Sequence, residues 1–233
     1  MILSRKYRFI FLRTAKTGST STELALSPAC GPDDILAPLS RKEERKRKLS
    51  PARNYALGIG HFGIKLPGEF RHHFPQFYGY YNHMPARQIR RLAGDDVWND
   101  FYKFTIERNP WDRQVSFYFW RTRKSKPQPD FRSFMLSRRH SGKAFRSARM
   151  KNWWTYTIND EIVVDRVIRY ENLDAELQAI RSELGIAEPV TLPSAKSHTR
   201  KDRRPYRDYY DEETRALVAD WYKREIDAFG WTF

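Results

Sequence analysis

A short apolar run that breaks into a small-residue loop and then a helix start constrains this chain more than any other feature. Residues 7–23 read YRFIFLRTAKTGSTSTE. Tyr7, Phe9, Ile10, Phe11 and Leu12 suit a buried strand. Lys16, Thr17, Gly18, Ser19 and Thr20 follow at once. Gly18 lets the backbone turn tightly, and the hydroxyls can cap the helix that follows. A helix N-terminus with free N–H groups and a lysine beside it forms an anion site, most often for phosphate. The loop is not the ordinary NTPase loop, GxxxxGK[ST], whose glycine precedes the lysine. Here no glycine stands before Lys16. The competing explanation, a turn capped by Ser and Thr beside a solvated lysine, requires no ligand.

A second segment has the same layout. Residues 101–120 read FYKFTIERNPWDRQVSFYFW. Tyr102 to Ile106 suit a buried strand, Asn109-Pro110 breaks it, and Pro110 fits the first turn of a helix. Asp112 falls in that turn, where negative charge is favoured. Arg108 stands at the strand's end, and Ser116 lies about two turns into the helix. An arginine fork and a hydroxyl converging there can hold one phosphate group. The competing explanation makes Asp112 and Arg113 surface pairs and Arg108 a capped strand end.

The two segments together resemble the PAPS-dependent sulfotransferases (PAPS is 3′-phosphoadenosine 5′-phosphosulfate). Strand–KTGST–helix resembles that family's 5′-phosphosulfate loop, and RNPWDRxxS resembles its 3′-phosphate motif. Tyr170-Glu171-Asn172-Leu173 resembles the family's YENL junction between strand and helix. SHTRKDRRPY resembles its late basic loop, and the ending YRDYYDEETRALVADWYKREIDAFGWTF its closing helix. The look is closest to the carbohydrate enzymes of uronyl 2-O type. The resemblance implies a P-loop-like α/β fold and transfer of a sulfuryl group from PAPS to a carbohydrate hydroxyl, leaving PAP. It puts Lys16, Thr17, Gly18, Ser19 and Thr20 on the 5′-phosphosulfate, Arg108 and Ser116 on the 3′-phosphate, and Arg200 and Lys201 over the nucleotide. No metal is expected, because lysine and arginine supply the positive charge.

Sulfuryl transfer also needs a base for the acceptor's proton, and histidine has a suitable pKa. His83, in YYNHMPA, is the first choice. It lies just before a helix starting near Pro85 and 25 residues ahead of Arg108. Related carbohydrate enzymes place a catalytic histidine in a similar interval. A capping or core role is the alternative for a lone histidine. His61 is the second choice. Glu23 and Glu69 stay open, because some glycan sulfotransferases use a glutamate.

A coarse pass gives strand 7–13, helix 19–27, an irregular basic segment to about 80, helix 85–93, strand 102–107 and helix 110–121. Helices within 130–158, strand 163–170, helix 172–184 and helix 211–228 complete it. Alternating strands and helices argue for α/β architecture, a single domain over 1–233 with a parallel sheet flanked by helices. Ligands then bind at the carboxyl ends of strands, where Lys16 and Arg108 sit.

The formal charge of +15 over 233 residues predicts anionic partners: nucleic acid, an anionic surface, or an anionic cofactor with an acidic glycan. Nucleic-acid binding would explain the charge but not RNPWDRxxS, and a P-loop kinase would need the loop that is missing here. The carbohydrate reading is therefore preferred, with no nucleic acid as partner. The basic run RKEERKRK reads as an exposed, mobile insertion over about 38–56. Cys30 is the only cysteine, which fits a reducing compartment. No apolar stretch reaches about 18 residues, so no membrane span is expected. The first strand leaves no room for a signal peptide. A cytoplasmic enzyme is the expectation. Gly58-Ile59-Gly60-His61-Phe62-Gly63 matches GxGxxG but lacks the acid about 20 residues on, and His72-His73 lacks companion ligands. Trp153-Trp154 and Tyr78–Tyr81 are core or sugar-stacking aromatics.

Overall fold

The computed structural model describes residues 1–47, 50–57, 75–136, 150, 152–193, 202 and 204–233. His61, Glu69, Arg200, Lys201, the GxGxxG match and the His72-His73 pair lie outside the described residues. The chain divides into two compact units. The first comprises Met1–Glu107 and Trp154–Pro193, the second Arg108–Trp153 and Ser194–Phe233.

The first unit is built on a mixed sheet. Its strands are β1 (Ile2–Ser4), β2 (Phe9–Phe11), β3 (Ile35–Leu36), β4 (Tyr102–Glu107) and β7 (Arg166–Arg169), in the order β3-β1-β2-β4-β7. β2, β4 and β7 run parallel, with Phe11 opposite Phe104 and Phe104 opposite Arg166. This is the parallel sheet expected from the alternating pattern. β1 and β3 extend it antiparallel, and neither was expected. Strands of two or three residues are too short to carry a period-two signal. A separate hairpin pairs β5 (Thr157–Ile158) with β6 (Glu161–Ile162), where helix was expected to reach 158. Helices α1 (Ser19–Leu26), α2 (Ala86–Ala93), α3 (Asp95–Asp100) and, after β7, the long helix Leu173–Glu183 accompany the sheet.

The core follows from the strand sequences. Phe9, Phe11, Phe104, Ile106 and Ile168 are buried together with Leu26 of α1 and Leu177 and Ile180 of the long helix. The Phe104 ring centroid lies 5.1 Å from that of Phe11 and 5.7 Å from that of Phe9. The basic stretch expected to be an exposed insertion is partly folded in. Ser40 and Glu43 form a capping box, the buried Arg47 donates to Ala37 O at 3.0 Å, and Arg53 donates to Cys30 O and Gly31 O.

The second unit packs α4 (Pro110–Thr122), α5 (Phe131–Leu136), α7 (Glu212–Trp221) and α8 (Lys223–Phe229); the helix Leu173–Glu183, which belongs to the first unit, is α6. The single closing helix expected over 211–228 is broken at Tyr222, whose backbone leaves the helical region. The buried Tyr222 hydroxyl donates to Gln114 Oε1 at 3.0 Å and accepts from Met150 N at 2.7 Å. Packing, and no helix-breaking residue type, sets that break. No helix among the described residues is long and apolar enough to cross a membrane.

Candidate active site

β2 delivers the chain to the KTGST loop, and the loop is knitted to β4. Thr14 Oγ1 donates to Ile106 O. A chain of hydroxyls continues from it: Thr14 Oγ1 to Thr17 Oγ1 at 2.7 Å, and Thr17 Oγ1 to Ser19 Oγ at 2.8 Å. The expectation that these hydroxyls cap α1 is therefore corrected. The N-cap is Gly18, at φ 82°, which has no side chain to offer. The first turn of α1 thus keeps the donor character that an anion can use. Gly18 is also required by its floor. A Cβ there would meet Leu173 Cδ2 at 2.9 Å and the Tyr170 ring at 3.1 Å. Tyr170 and Leu173 are the ends of the YENL junction, and its place in the fold is to pack beneath this turn. Lys16 is half-buried and left-handed, at φ 64°. A non-glycine residue held there costs about 1–3 kcal/mol, a strain that clusters at functional sites.

Arg13 ties this loop to the histidine. Its buried guanidinium donates to Glu23 Oε2 at 2.6 Å, to Thr20 Oγ1 at 2.7 Å and to Asn82 Oδ1 at 3.1 Å. Its carbonyl lies 3.1 Å from His83 Nδ1. Asn82 in turn donates to Pro38 O. Glu23, fully buried, also faces the Met1 ammonium. Burial alone would raise the Glu23 pKa. The Met1 ammonium and Arg13 outweigh that and hold it below the usual range. The side chain is a buried counter-ion with both oxygens committed to cations.

His83 is open to solvent and, like Lys16, left-handed, at φ 59°. Lost hydration on its protein side, and next the Arg13 charge, lower its pKa from 6.5 to about 4. The ring is therefore neutral at physiological pH. A carbonyl can only accept, so the proton of the neutral ring sits on Nδ1 and Nε2 is an acceptor. That is the tautomer a general base needs.

In the second unit, RNPWDR is divided between two tasks. Arg108 Nε and Nη2 both donate to Asp112 Oδ2, at 2.8 and 2.6 Å, which orients the guanidinium. Ser116 is half-buried on the same helix, α4. The other residues hold the unit together. Asn109 caps α4, accepting from Trp111 N at 3.1 Å and donating to Thr232 O at 2.9 Å. Trp111 is buried and donates to Arg215 O. Arg113 is not the surface residue of the alternative reading. It is fully buried, 3.4 Å from Glu225, with its guanidinium 4.5 Å from the Tyr222 ring centroid.

Within the first unit, then, the KTGST loop and His83 are joined through Arg13, while in the second Arg108 precedes α4 and is tied to it through Asp112, with Ser116 on the same helix. Sequence reasoning missed Arg13, Thr14 and Asn82. The one local signal was a charged residue directly after a buried strand, at Arg13. Of the aromatics, Tyr80, Tyr81 and Trp153 are buried, whereas Trp154 is 60% exposed. Among the described residues, no group of three or more His, Cys, Asp or Glu is placed to hold a metal.

Comparison with known proteins adds three findings. Over 96% of both chains, the fold is similar to a crystal structure of a sulfotransferase from Alicyclobacillus acidocaldarius, at 16% identity and a TM-score of 0.46. An uncharacterized protein from Archaeoglobus fulgidus is 32% identical over 112 residues, which are 47% of this chain and 88% of that protein. The model of the sulfotransferase family matches residues 1–232. The chain belongs to the sulfotransferase family.

Proposed function

We propose that this chain transfers the sulfuryl group of PAPS to a hydroxyl of a carbohydrate, with His83 as the general base. The observation that carries the reading is the His83–Arg13 contact. One backbone carbonyl, three residues ahead of Lys16, orients a neutral, solvent-accessible imidazole with Nε2 as its acceptor.

The residues present fit the donor. The turn at Gly18 has no room for a side chain, and the helix behind it has no side-chain cap. When bound, PAPS supplies a sulfuryl group whose departure leaves negative charge on a phosphate oxygen. Lys16 is assigned to that oxygen, where a positioned cation acts mainly on the transition state. Thr17, Gly18, Ser19 and Thr20, with the N–H groups at the start of α1, are assigned to the 5′-phosphosulfate. Arg108, oriented by Asp112, and Ser116 are assigned to the 3′-phosphate, the group that separates PAPS from ADP. Arg200 and Lys201 are assigned to the cover over the nucleotide. His83 Nε2 takes the proton of the attacking hydroxyl, which keeps charge from building on the acceptor oxygen. Glu23 is not assigned to that step, because its buried carboxylate is committed to Arg13. The lone thiol of Cys30 suits a reducing compartment, and the cytoplasm is the one we assign.

Calorimetry without added metal tests the donor assignment. PAP should bind far more tightly than ADP. Equal affinities would remove the 3′-phosphate site and the reading with it.

A further inference from the structure

We infer that a recess on α2, the helix that follows His83, holds an acidic group of the carbohydrate acceptor. The inference rests on the proposed carbohydrate acceptor and names its chemical class. The recess has a volume of about 300 Å³ and is lined by Arg87, Arg90, Arg91, Gly94 and Asp95. Three arginines against one carboxylate leave it with a net positive charge.

The helix is built to present those arginines. At about 100° per residue, Arg87, Arg90 and Arg91 fall within an arc of about 100°, and the opposite side buries Ala86 and Ile89. Arg90 is neutralised by Asp95, at 2.6 Å. Arg87 is held by a neutral partner, donating to Asn159 Oδ1 in the β5–β6 turn at 2.8 Å. Its charge is therefore oriented but not cancelled. Arg87 and Arg91 stand one turn apart and are both exposed, a spacing that suits two forks on one carboxylate or sulfate. A helix C-terminus favours cations for its dipole alone, which accounts for Arg90 and Arg91. It does not account for Arg87 in the first turn, where positive charge is disfavoured.

Placement argues for a saccharide over a nucleic acid. The helix starts three residues after the proposed base. The hairpin that positions Arg87 follows the turn Trp153–Tyr156, which carries the exposed Trp154, an aromatic of the kind on which sugars stack.

The test is calorimetry of the whole chain with hyaluronan oligosaccharides, which carry a carboxylate on alternate sugars, and with neutral dextran oligosaccharides of equal length. Hyaluronan should bind at least about tenfold more tightly, the worth of one good charge-assisted contact. The double variant Arg87→Gln/Arg91→Gln should lose that preference while keeping its melting temperature and its PAP affinity. Arg87→Lys/Arg91→Lys should keep part of it, since charge survives without the fork. Equal affinity for the two saccharides, or an unchanged preference in the Gln variant, would overturn the inference. So would an oligothymidylate of matched charge that binds more tightly through the same arginines, because the site would then be a nucleic-acid contact. PAP titration keeps the two proposals apart. PAP binding without hyaluronan binding overturns the recess alone. Hyaluronan binding without PAP binding removes the sulfuryl-transfer reading, and with it the recess as an acceptor site.

Discussion

Arg13 and Arg113 are both buried arginines paired with a buried glutamate, yet they do different work. Arg13, in the first unit, spends its guanidinium on Glu23, Thr20 and Asn82 and its carbonyl on His83. Every partner lies on the phosphate-type loop, on its helix or beside the histidine. Arg113, in the second unit, faces Glu225 and the Tyr222 ring, where α8 begins. Its partners are scaffold. A motif such as RNPWDRxxS thus carries packing positions beside the two proposed to face a ligand, and the motif alone does not sort them. Burial and partners do.

The largest expected effect separates these roles. Arg113→Ala should cost stability, about 3–5 kcal/mol for stripping one partner from a buried ion pair. Its folded fraction should keep normal turnover per molecule. Thermal melts beside activity normalised to folded protein would decide it, and a normal melt with lost turnover would move Arg113 into the site. Arg108→Ala should do the reverse. PAP affinity should fall by about 2–4 kcal/mol, the range for removing one side of a buried charge pair. The melt should change little, because the Asp112 pair is partly exposed. Calorimetry with PAP measures it, and undiminished affinity would leave Arg108 as a strand cap.

Lys16→Ala should lower turnover by at least about 100-fold, comparable to losing one oxyanion donor. PAP affinity should fall less than turnover does. Near-normal turnover would remove Lys16 from the chemistry.

The smallest effect concerns pH. His83 must be neutral to act, so kcat/KM should be flat through neutrality and fall as pH drops through about 4. The Arg13 charge helps hold that value down. Arg13→Gln should therefore move the acid limb upward, toward 6.5, and Arg13→Lys should leave it nearer its original place. A limb that stays put in Arg13→Gln would break the link between the two residues.

What could be read from the sequence was what is local. Strand Tyr102–Glu107 and helix Pro110–Thr122 carry a strong apolar run, a cap and a proline, and they stand where those signals put them. Gly18 announces its turn because its backbone, at φ 82°, strains any other residue and its floor of Tyr170 and Leu173 is close. The Arg13–Asn82–His83 constellation was invisible because its members are about 70 positions apart and meet only through tertiary packing. The break at Tyr222 was missed for a similar reason. Nothing in WYKRE stops a helix, and the tyrosine is drawn out by partners on α4 and at Met150. The buried role of Arg113 had no local signal, because arginine is rarely fully buried unless paired, and its pair, Glu225, lies 112 residues away.

The central claim, sulfuryl transfer from PAPS to a carbohydrate hydroxyl by a chain whose base is His83, is tested most directly by a transfer assay. Radiolabelled PAPS would be offered with a panel of neutral and acidic oligosaccharides to the wild-type chain and to His83→Ala. The account predicts labelled saccharide from the wild type. The variant should fold, bind PAP normally and turn over about 10²–10⁴-fold more slowly, the usual share of general base catalysis. A His83→Ala chain as active as the wild type, or a wild type that binds PAP and labels no saccharide, would contradict it.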